Sequence, residues 1–271
     1  MADYIVSVGN VEIISLSDGI TEFPAANILP GVTEADWQKY PGTVSAQGTL
    51  KTNFGCFVLR SQGQTILVDT GIGPDIPGNL LDDLKSKGVD LGQITLVVFT
   101  HLHPDQVGWN LTREGEKTRP TFPGARYRIP KGDWDHFRQP QVLERAAHFQ
   151  NRVMPLQEHG ILEVMEGETA ITSEITMVPT PGHTPGHMSA AIFSQGQRGF
   201  ILGDVLNFPF QAQETAWEVV FDGDKALARQ TREAVLERLE REGSIVGAGH
   251  FLPPSLGRFV RTEGRRYWQG L

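Results

Sequence analysis

The chain has little of several residue types that would point to particular classes of protein. Cys56 is the only cysteine among 271 residues, which excludes an intrachain disulfide. Lysine and arginine number 24 against 32 aspartate and glutamate residues, giving a formal net charge of −8 at pH 7. Nucleic-acid binding needs a basic surface, so this balance argues against a nucleic acid as a partner. The sequence has no run of about 20 apolar residues, which argues against membrane insertion.

The N-terminal residues also lack the features of a secretory leader. They read Met-Ala-Asp-Tyr-Ile-Val, without a basic stretch that precedes a long apolar segment. We therefore expect a cytoplasmic location. Cys56 lies in the apolar run 55–59, which predicts a buried thiol on a strand.

The length suits one α/β domain over residues 1–271. Apolar runs bounded by Gly, Asn, Asp and Pro predict strands. These runs are 4–8, 11–16, 55–60, 65–68, 94–99, 175–178, 188–193, 200–202 and 244–248, the last being the final core strand. Helices are predicted at 79–87, 134–137, 141–154 and 224–241. Residues 20–50 have few periodic signals and contain three prolines. They predict an extended connection, either a flap over a substrate or a plain surface link.

A cluster of polar residues follows the apolar run 94–99. Residues 100–110 read Thr-His-Leu-His-Pro-Asp-Gln-Val-Gly-Trp-Asn. Side chains alternate along an extended chain. If the chain stays extended there, His101, His103 and Asp105 converge, and Leu102 points away. Imidazole and carboxylate groups at such spacing are the ligands that zinc selects, so the cluster predicts a metal site.

This cluster resembles the metal loop of the metallo-β-lactamase superfamily, whose other motifs occur in the family's order. Asp69 lies in Leu-Val-Asp-Thr-Gly, and His183 lies in Thr-Pro-Gly-His-Thr-Pro-Gly-His. Asp204 lies in Ile-Leu-Gly-Asp-Val-Leu, and His250 lies in Gly-Ala-Gly-His-Phe-Leu-Pro. The resemblance runs from about residue 50 to 256 and implies an α/β fold, the four-layer αββα sandwich. Gln106 stands where the family usually has histidine.

The resemblance implies a first metal site made by His101, His103 and His183. Three histidines leave one position open for water, as catalytic zinc sites require. Zinc lowers the pKa of that water to roughly 7, which makes hydroxide available at neutral pH. Asp69 and His187 are expected to support the ligands rather than to bind metal themselves. Zinc is the expected cofactor, with one or two ions per chain, and Mn, Co and Fe are further candidates.

A second metal site would use Asp105 and His250, with Asp204 bridging the two ions or binding the second. Gln106 leaves several alternatives open here, because an amide oxygen is a weaker zinc ligand than imidazole. The second ion binds with Gln106 as a poor ligand, or with water in its place. Alternatively, one metal suffices and Asp105 acts as a base, or the chain no longer catalyses.

The segment after the bridging position resembles one branch of the family, which holds acyl-homoserine lactonases and organophosphate hydrolases of the methyl-parathion type. Lactonases of this branch commonly have tyrosine three residues after the bridging aspartate, whereas this chain has Asn207. This difference shifts the expected activity toward esters and organophosphates. We expect an apolar substrate pocket. Its predicted residues are Trp109, Asn207, Phe208, Phe210 and Trp217.

The sequence therefore predicts a hydrolase that uses a zinc-activated hydroxide on an ester-type bond of a small molecule. A lactone, a carboxylester or a phosphotriester would fit, and Asp105 and Asp204 are the catalytic candidates. Two alternatives stay open: a mononuclear iron oxygenase on the same fold, and a catalytically silent binding homologue, which Gln106 motivates. A homodimer is also left open. The remaining histidines have no ligand-like spacing and are expected at the surface or in packing: His136, His148 and His159.

Overall fold

The computed structural model describes residues 4–74, 76, 78–115 and 117–271. The strands are β1 (Ile5–Val8), β2 (Val11–Pro24), β3 (Thr49–Ser61), β4 (Gln64–Val68), β5 (Leu96–Val98), β6 (Leu111–Glu114), β7 (Lys117–Pro120), β8 (Arg126–Pro130), β9 (Leu162–Met165), β10 (Thr169–Ala170), β11 (Ile175–Pro179), β12 (Met188–Ser194), β13 (Gln197–Ile201), β14 (Ile245–Gly247), β15 (Leu256–Thr262) and β16 (Arg265–Gly270). The helices are α1 (Ala25–Ile28), α2 (Glu34–Trp37), α3 (Leu80–Ser86), α4 (Lys131–Phe137), α5 (Pro140–Leu143), α6 (Ala147–Arg152), α7 (Met154–Glu158) and α8 (Lys225–Glu242).

Two seven-stranded mixed sheets form the centre of the fold. The first has the order β1-β2-β3-β4-β5-β8-β9, and the second has the order β10-β11-β12-β13-β14-β15-β16. One buried cluster lies between the sheets, and two others join the outer faces to helices α3–α7 and to α8. The layers are thus helix, sheet, sheet and helix, which confirms the predicted αββα sandwich.

Successive side chains of a strand point to opposite faces of the sheet, so each central strand contributes residues to two separate hydrophobic cores. On β4, Ile66 and Val68 face the cluster between the sheets, whereas Leu67 faces the helices. On β5, Val97 faces the helices and its neighbours face the opposite sheet. A strand that is covered on both faces is apolar at every position, as these short runs are.

Helix α8 begins and ends with clear local signals. The Asp224 side chain accepts a hydrogen bond from the Leu227 N–H, and Gly243 ends the helix with a positive φ of 62°. The buried stripe of α8 consists of Ala228, Arg232, Val235, Leu236 and Leu239. A buried arginine within this stripe is not explained by hydrophobic packing.

Two parts of the chain differ from the sequence expectation. Residues 20–24 and 49–54 are paired strand, because β2 and β3 continue together to the pair Pro24–Thr49. Strands β15 and β16 follow β14, so β14 is not the final strand of its sheet. Cross-strand pairing stabilises both additions: β2 pairs with β3 across the 25–48 connection, and β15 pairs with β16 in a tight hairpin. Within the described ranges, none of the helices is long and apolar enough to cross a membrane.

Replacement of Leu67 by alanine should destabilise the fold strongly. This side chain is fully buried between the first sheet and its helices, and truncation of a buried leucine costs roughly 2–5 kcal/mol. The free energy of unfolding from urea titration measures the effect. Val164→Ala on β9 is the control, because Val164 is 45% exposed and should change stability by less than about 1 kcal/mol. Equal losses in both variants would contradict the layer assignment.

Candidate metal centre

The proposed ligands lie in loops that follow strands of both sheets. His101 follows β5, His183 follows β11, Asp204 follows β13 and His250 follows β14. Asp204 lies in a short 3₁₀ turn, Gly203–Val205. These four segments meet at one edge of the sandwich, so residues far apart in the sequence form one polar cluster in an apolar fold.

Three histidine nitrogens converge at the centre of this cluster. The Nδ1 atom of His103 lies 3.1 Å from Nε2 of His101 and 3.0 Å from Nε2 of His183. Ligand nitrogens of the three lie within 4.8 Å of one another. Nitrogens on a tetrahedral zinc at about 2.0–2.1 Å are separated by roughly 3.3 Å, so the two short contacts of His103 are close to the spacing that a shared cation would need.

One carboxylate oxygen joins this group to His250. The Oδ2 atom of Asp204 lies 3.2 Å from Nε2 of His183 and 2.9 Å from Nε2 of His250. Asp105 lies on the His250 side, with its Oδ2 atom 3.5 Å from Nε2 of His250. Asp204 Oδ2 therefore lies within contact distance of both His183 and His250.

The chain turns after His103 rather than staying extended, contrary to the simplest sequence expectation. The Gln106 N–H donates to the His103 carbonyl at 3.1 Å. The turn leaves His101 and His103 together but moves Asp105 beside His250, whereas Leu102 is fully buried in the core. Alternation along a strand thus explains the histidine pair and not the position of the acid.

The residues present fit a metal ion. In the described ranges, the side-chain oxygens of Gln106 and Asn207 are buried and have no hydrogen-bond partner. Buried polar atoms are normally paired, so an unpaired oxygen close to the predicted ligands is consistent with a site that can bind a cation. A single proton on His103 Nδ1 could serve only one of its two imidazole neighbours, whereas a cation serves all three nitrogens. Gln106 is buried directly after Asp105, but its place in a metal shell stays a prediction.

Burial and charge prepare these groups for a cation. Burial lowers the pKa of His101 well below its usual range and that of His103 to about 3, which keeps both imidazoles neutral. Burial also opposes protonation of His250, but the carboxylates of Asp204 and Asp105 raise its pKa to about 10. Metal binding must displace such a proton, because a ligand nitrogen needs its lone pair free.

Three of the four histidines, His101, His183 and His250, have a partner on Nδ1, and this contact sets the ring orientation. Thr100 Oγ1 donates to Asp69 Oδ2 at 2.8 Å and can accept the Nδ1–H of His101 at 3.1 Å. His250 Nδ1 lies 2.9 Å from the Asn53 carbonyl oxygen, to which it can donate. These contacts leave the Nε2 lone pairs directed at the cluster. Asp69 thus contacts Thr100, which in turn contacts His101, and its role around a metal stays a prediction.

His187 supports Asp204 through the backbone. The Asp204 N–H donates to Nε2 of His187 at 2.9 Å, so the proton of this imidazole lies on Nδ1, which faces Thr180. Burial lowers the pKa of His187 to about 4, in keeping with a neutral ring. His148 packs nearby, with Nε2 3.0 Å from the Leu102 carbonyl oxygen.

Sequence reasoning missed the buried Asp133, which connects two ligand loops. Its carboxylate accepts hydrogen bonds from the Leu102 N–H at 3.0 Å, the Thr184 hydroxyl at 2.9 Å and the Gly186 N–H at 2.7 Å. Leu102 lies between two of the histidines, and Thr184 follows the third. Asp133 lies in the polar helix Lys-Gly-Asp-Trp-Asp-His-Phe, so no local pattern in the sequence indicated this role.

Asp222 and Arg232 were missed as well. The Nδ1 atom of His183 lies 2.9 Å from Asp222 Oδ1, and Arg232 Nη2 donates to Asp222 Oδ2 at 2.9 Å. Both side chains of the ion pair are completely buried. An arginine within the apolar stripe of α8 was the available signal in the sequence.

A cavity of about 450 Å³ opens onto the cluster. Its apolar wall consists of Phe23, Ile28, Phe54, Ile72, Ile76, Phe208, Val219 and Phe221. Asn207 lines it beside the polar residues His103, Asp105, His183, Asp204 and His250. Because Phe23 and Ile28 belong to the 20–50 segment, that segment forms part of the cavity wall. No lysine or arginine lines the cavity in the described part of the chain.

Three of the predicted pocket residues lie elsewhere. Trp109 donates its indole N–H to the buried carboxylate of Asp18, at 3.0 and 3.1 Å from its two oxygens. Phe210 stacks behind Phe208, with ring centroids 5.1 Å apart, and Trp217 packs against Phe210. Among the described lining residues, only Phe208 and Asn207 remain from the predicted set. Phe210 and Trp217 thus belong to an aromatic cluster behind the cavity wall, where aromatic rings pack favourably against one another.

Comparison with known proteins agrees with this architecture. The family model described as the metallo-beta-lactamase superfamily matches residues 56–250. An N-acyl homoserine lactonase from Bacillus thuringiensis is 22% identical over 218 residues, covering 72% of this chain and 80% of the relative. One from Bacillus cereus is 23% identical over 244 residues, covering 82% and 90%.

Two solved structures share the fold over almost their whole lengths. A hydrolase of the β-lactamase superfamily named AbOPH has a TM-score of 0.87 at 21% identity, with 100% of this chain and 98% of that chain covered. The dizinc quorum-quenching lactonase AidC has a TM-score of 0.82 at 20% identity, with 98% and 96% covered. The sandwich, the converging ligand loops and a family match over more than half of the sequence lead to one conclusion: the chain belongs to the metallo-β-lactamase superfamily.

Proposed function

We propose that this protein is a metal-dependent hydrolase that acts on an uncharged, largely apolar small molecule with an ester-type bond. One observation carries the proposal: the histidine cluster lies at the wall of an apolar cavity. In the described ranges, no lysine or arginine lines this cavity. An anionic substrate would normally be met by such cations. The substrate class is a lactone, a carboxylester or a phosphotriester.

The ligand chemistry favours zinc. Three imidazoles and a carboxylate form a nitrogen-rich donor set, which zinc prefers over the all-oxygen sets of magnesium or calcium. A divalent ion held there would lower the pKa of a water molecule and polarise a carbonyl or phosphoryl oxygen. Manganese, cobalt and iron are compatible with the same donors and are distinguished by metal analysis.

The chain's own residues supply orientation and exclusion of water. Asp204 is held by the Asn207 side chain, whose Nδ2 donates to Oδ2 at 3.1 Å. Phe208 and Val219 surround the substrate side with apolar surface, which strengthens electrostatic interactions inside. Asp105, at the cavity face and 3.5 Å from His250, is placed to accept a proton if only one metal binds.

Asn207 bears on the choice among substrates. Its amide N–H contacts the bridging carboxylate, so this side chain acts on Asp204 and offers no hydroxyl to a substrate carbonyl. The relatives named as lactonases support ester-type hydrolysis in general. We therefore propose that the activity extends beyond lactones to carboxylesters and phosphotriesters.

The location and assembly of the protein remain predictions from the sequence. We propose a cytoplasmic enzyme that acts on a small molecule, without a nucleic-acid or membrane partner, and a homodimer stays an open alternative. Fractionation of the source cells tests the first, and light scattering of the purified protein tests the second.

A substrate panel tests the proposed chemistry. The purified protein with zinc should hydrolyse at least one neutral lactone, carboxylester or phosphotriester, and chelation should abolish turnover. The matched phosphodiester anion should show a kcat/KM at least roughly tenfold lower, because no lysine or arginine in the described cavity lining meets its charge. Silence on every neutral ester with metal bound would contradict the proposal. Oxygen consumption by the iron-loaded protein would instead indicate the oxygenase.

Replacement of His103 by alanine should remove most of the bound metal and the turnover. His103 Nδ1 contacts both other histidines, so its loss removes the central ligand of the three. Metal per chain is measured by elemental analysis after desalting. His159→Ala is the control, since His159 is exposed at the end of α7. Full stoichiometry in the His103 variant would reject the ligand assignment.

Replacement of Gln106 by histidine should raise occupancy of the second site toward two ions per chain. Imidazole is a better zinc ligand than the amide oxygen that it replaces. Zinc stoichiometry and kcat are compared with the parent in excess zinc, and Gln141→His on the exposed α5 controls for an added histidine. Unchanged occupancy would show that the site is built around one metal, with Gln106 orienting water or substrate.

A further inference from the structure

Arg232 is the largest side chain that is completely buried in the described part of the chain. It lies within the apolar stripe of α8, where leucine or methionine would complete the core. Transfer of a guanidinium out of water costs several kcal/mol, and this cost is offset only by good hydrogen bonding. Its contacts therefore indicate what it does.

The guanidinium donates to three acceptors, one of which directly follows Asp204 and another of which contacts His183. Nε donates to the Val205 carbonyl oxygen at 3.0 Å, directly after Asp204. Nη1 donates to the Thr215 carbonyl oxygen at 2.8 Å. Nη2 donates to Asp222 Oδ2 at 2.9 Å. The planar guanidinium group thus connects the loop of Asp204 to the Asp222 carboxyl group, which faces His183.

Asp222 transmits this constraint to His183. Its Oδ1 atom lies 2.9 Å from Nδ1 of His183, where an ionised carboxylate can only accept. The proton of a neutral His183 is thereby placed on Nδ1, which leaves Nε2 free toward His103 and Asp204. The hydrogen bond from Arg232 to Oδ2 leaves Oδ1 as the oxygen that meets the imidazole.

We propose that Arg232 is a positioning residue, which sets the tautomer and orientation of His183 and holds the Asp204 loop in register with it. The proposal rests on the metal site described above. Loss of the guanidinium removes the partner that holds Asp222 and an anchor of the Asp204 loop, so the carboxyl group can turn from His183. This change weakens a ligand without touching it.

Metal affinity of the folded protein distinguishes this role from a purely structural ion pair. Arg232→Met and Arg232→Lys are compared with the parent by competition of zinc against a chromogenic chelator. We expect Kd to rise roughly 10- to 100-fold in Arg232→Met, as for other partners of metal ligands. Arg232→Lys should lie between, because lysine restores one charge without the planar fork. Arg229→Met is the matched control, on the same helix but 48% exposed.

Two further measurements do not depend on turnover. The visible spectrum of the Co²⁺-loaded protein should change in Arg232→Met, since the geometry at His183 changes. Thermal unfolding of the metal-free protein reports on the structural cost alone. A structural role would lower this midpoint, whereas Kd and the cobalt spectrum would match the parent, and that result would overturn the proposal.

Asp222→Asn provides a test that keeps the size of the side chain and decides the case if the Arg232 variants do not fold. Its zinc Kd should also rise by at least about tenfold, because a neutral amide cannot serve Arg232 and His183 as the carboxylate does. An unchanged Kd would likewise overturn the proposal. A parent protein that binds neither zinc nor cobalt would instead refute the metal site itself, so the two failures are distinguishable.

Discussion

One buried carboxylate oxygen organises the polar centre of this molecule. Asp204 Oδ2 lies 2.9 Å from His250 and 3.2 Å from His183, and the Asn207 amide donates to it. Burial would raise the pKa of this carboxyl, but His250, His101 and His183 hold it well below its usual range. An anion at this depth attracts positive charge, from protons or from a cation, and the surrounding loops are arranged to supply it.

A ring of further buried carboxylates keeps those loops in place. Asp69 holds Thr100 beside His101, Asp133 joins Leu102 to Thr184, and Asp222 faces His183. An acid inside a protein is tolerated only when its oxygens are hydrogen-bonded, and here backbone N–H groups, hydroxyls and one arginine provide the partners. These contacts fix the predicted metal ligands relative to one another, because the ligands lie in separate loops.

The cavity has a polar side, formed by the predicted metal ligands, and an apolar wall, formed by other segments. The 20–50 segment and the segment after Asp204 cover the cluster with phenylalanine, isoleucine and valine side chains. Behind this wall lies an aromatic cluster whose rings meet edge to face or tilted and stiffen it: Trp37, Tyr40, Phe210 and Trp217. Asp18 supports the opposite wall by accepting hydrogen bonds from Gly73 and Leu80, next to the loop of Ile72.

The amino-acid sequence by itself determined the family, the αββα layers and the residue types offered to a metal. The family and the layers follow from the ordered motifs that resemble the metallo-β-lactamase superfamily. The individual strands and helix α8 follow from local patterns, namely the continuous apolar runs of β4 and β5 and the amphipathic pattern of α8. Only the tertiary structure decided which side of the centre Asp105 occupies, that Trp109 supports Asp18, and that Asp222 and Arg232 serve His183. Asp222 lies 39 residues from His183, and Trp109 lies 91 residues from Asp18. Contacts over such separations are set by how whole sheets and helices pack, because burial and hydrogen-bond partners belong to the assembled fold and leave no periodic trace in the chain.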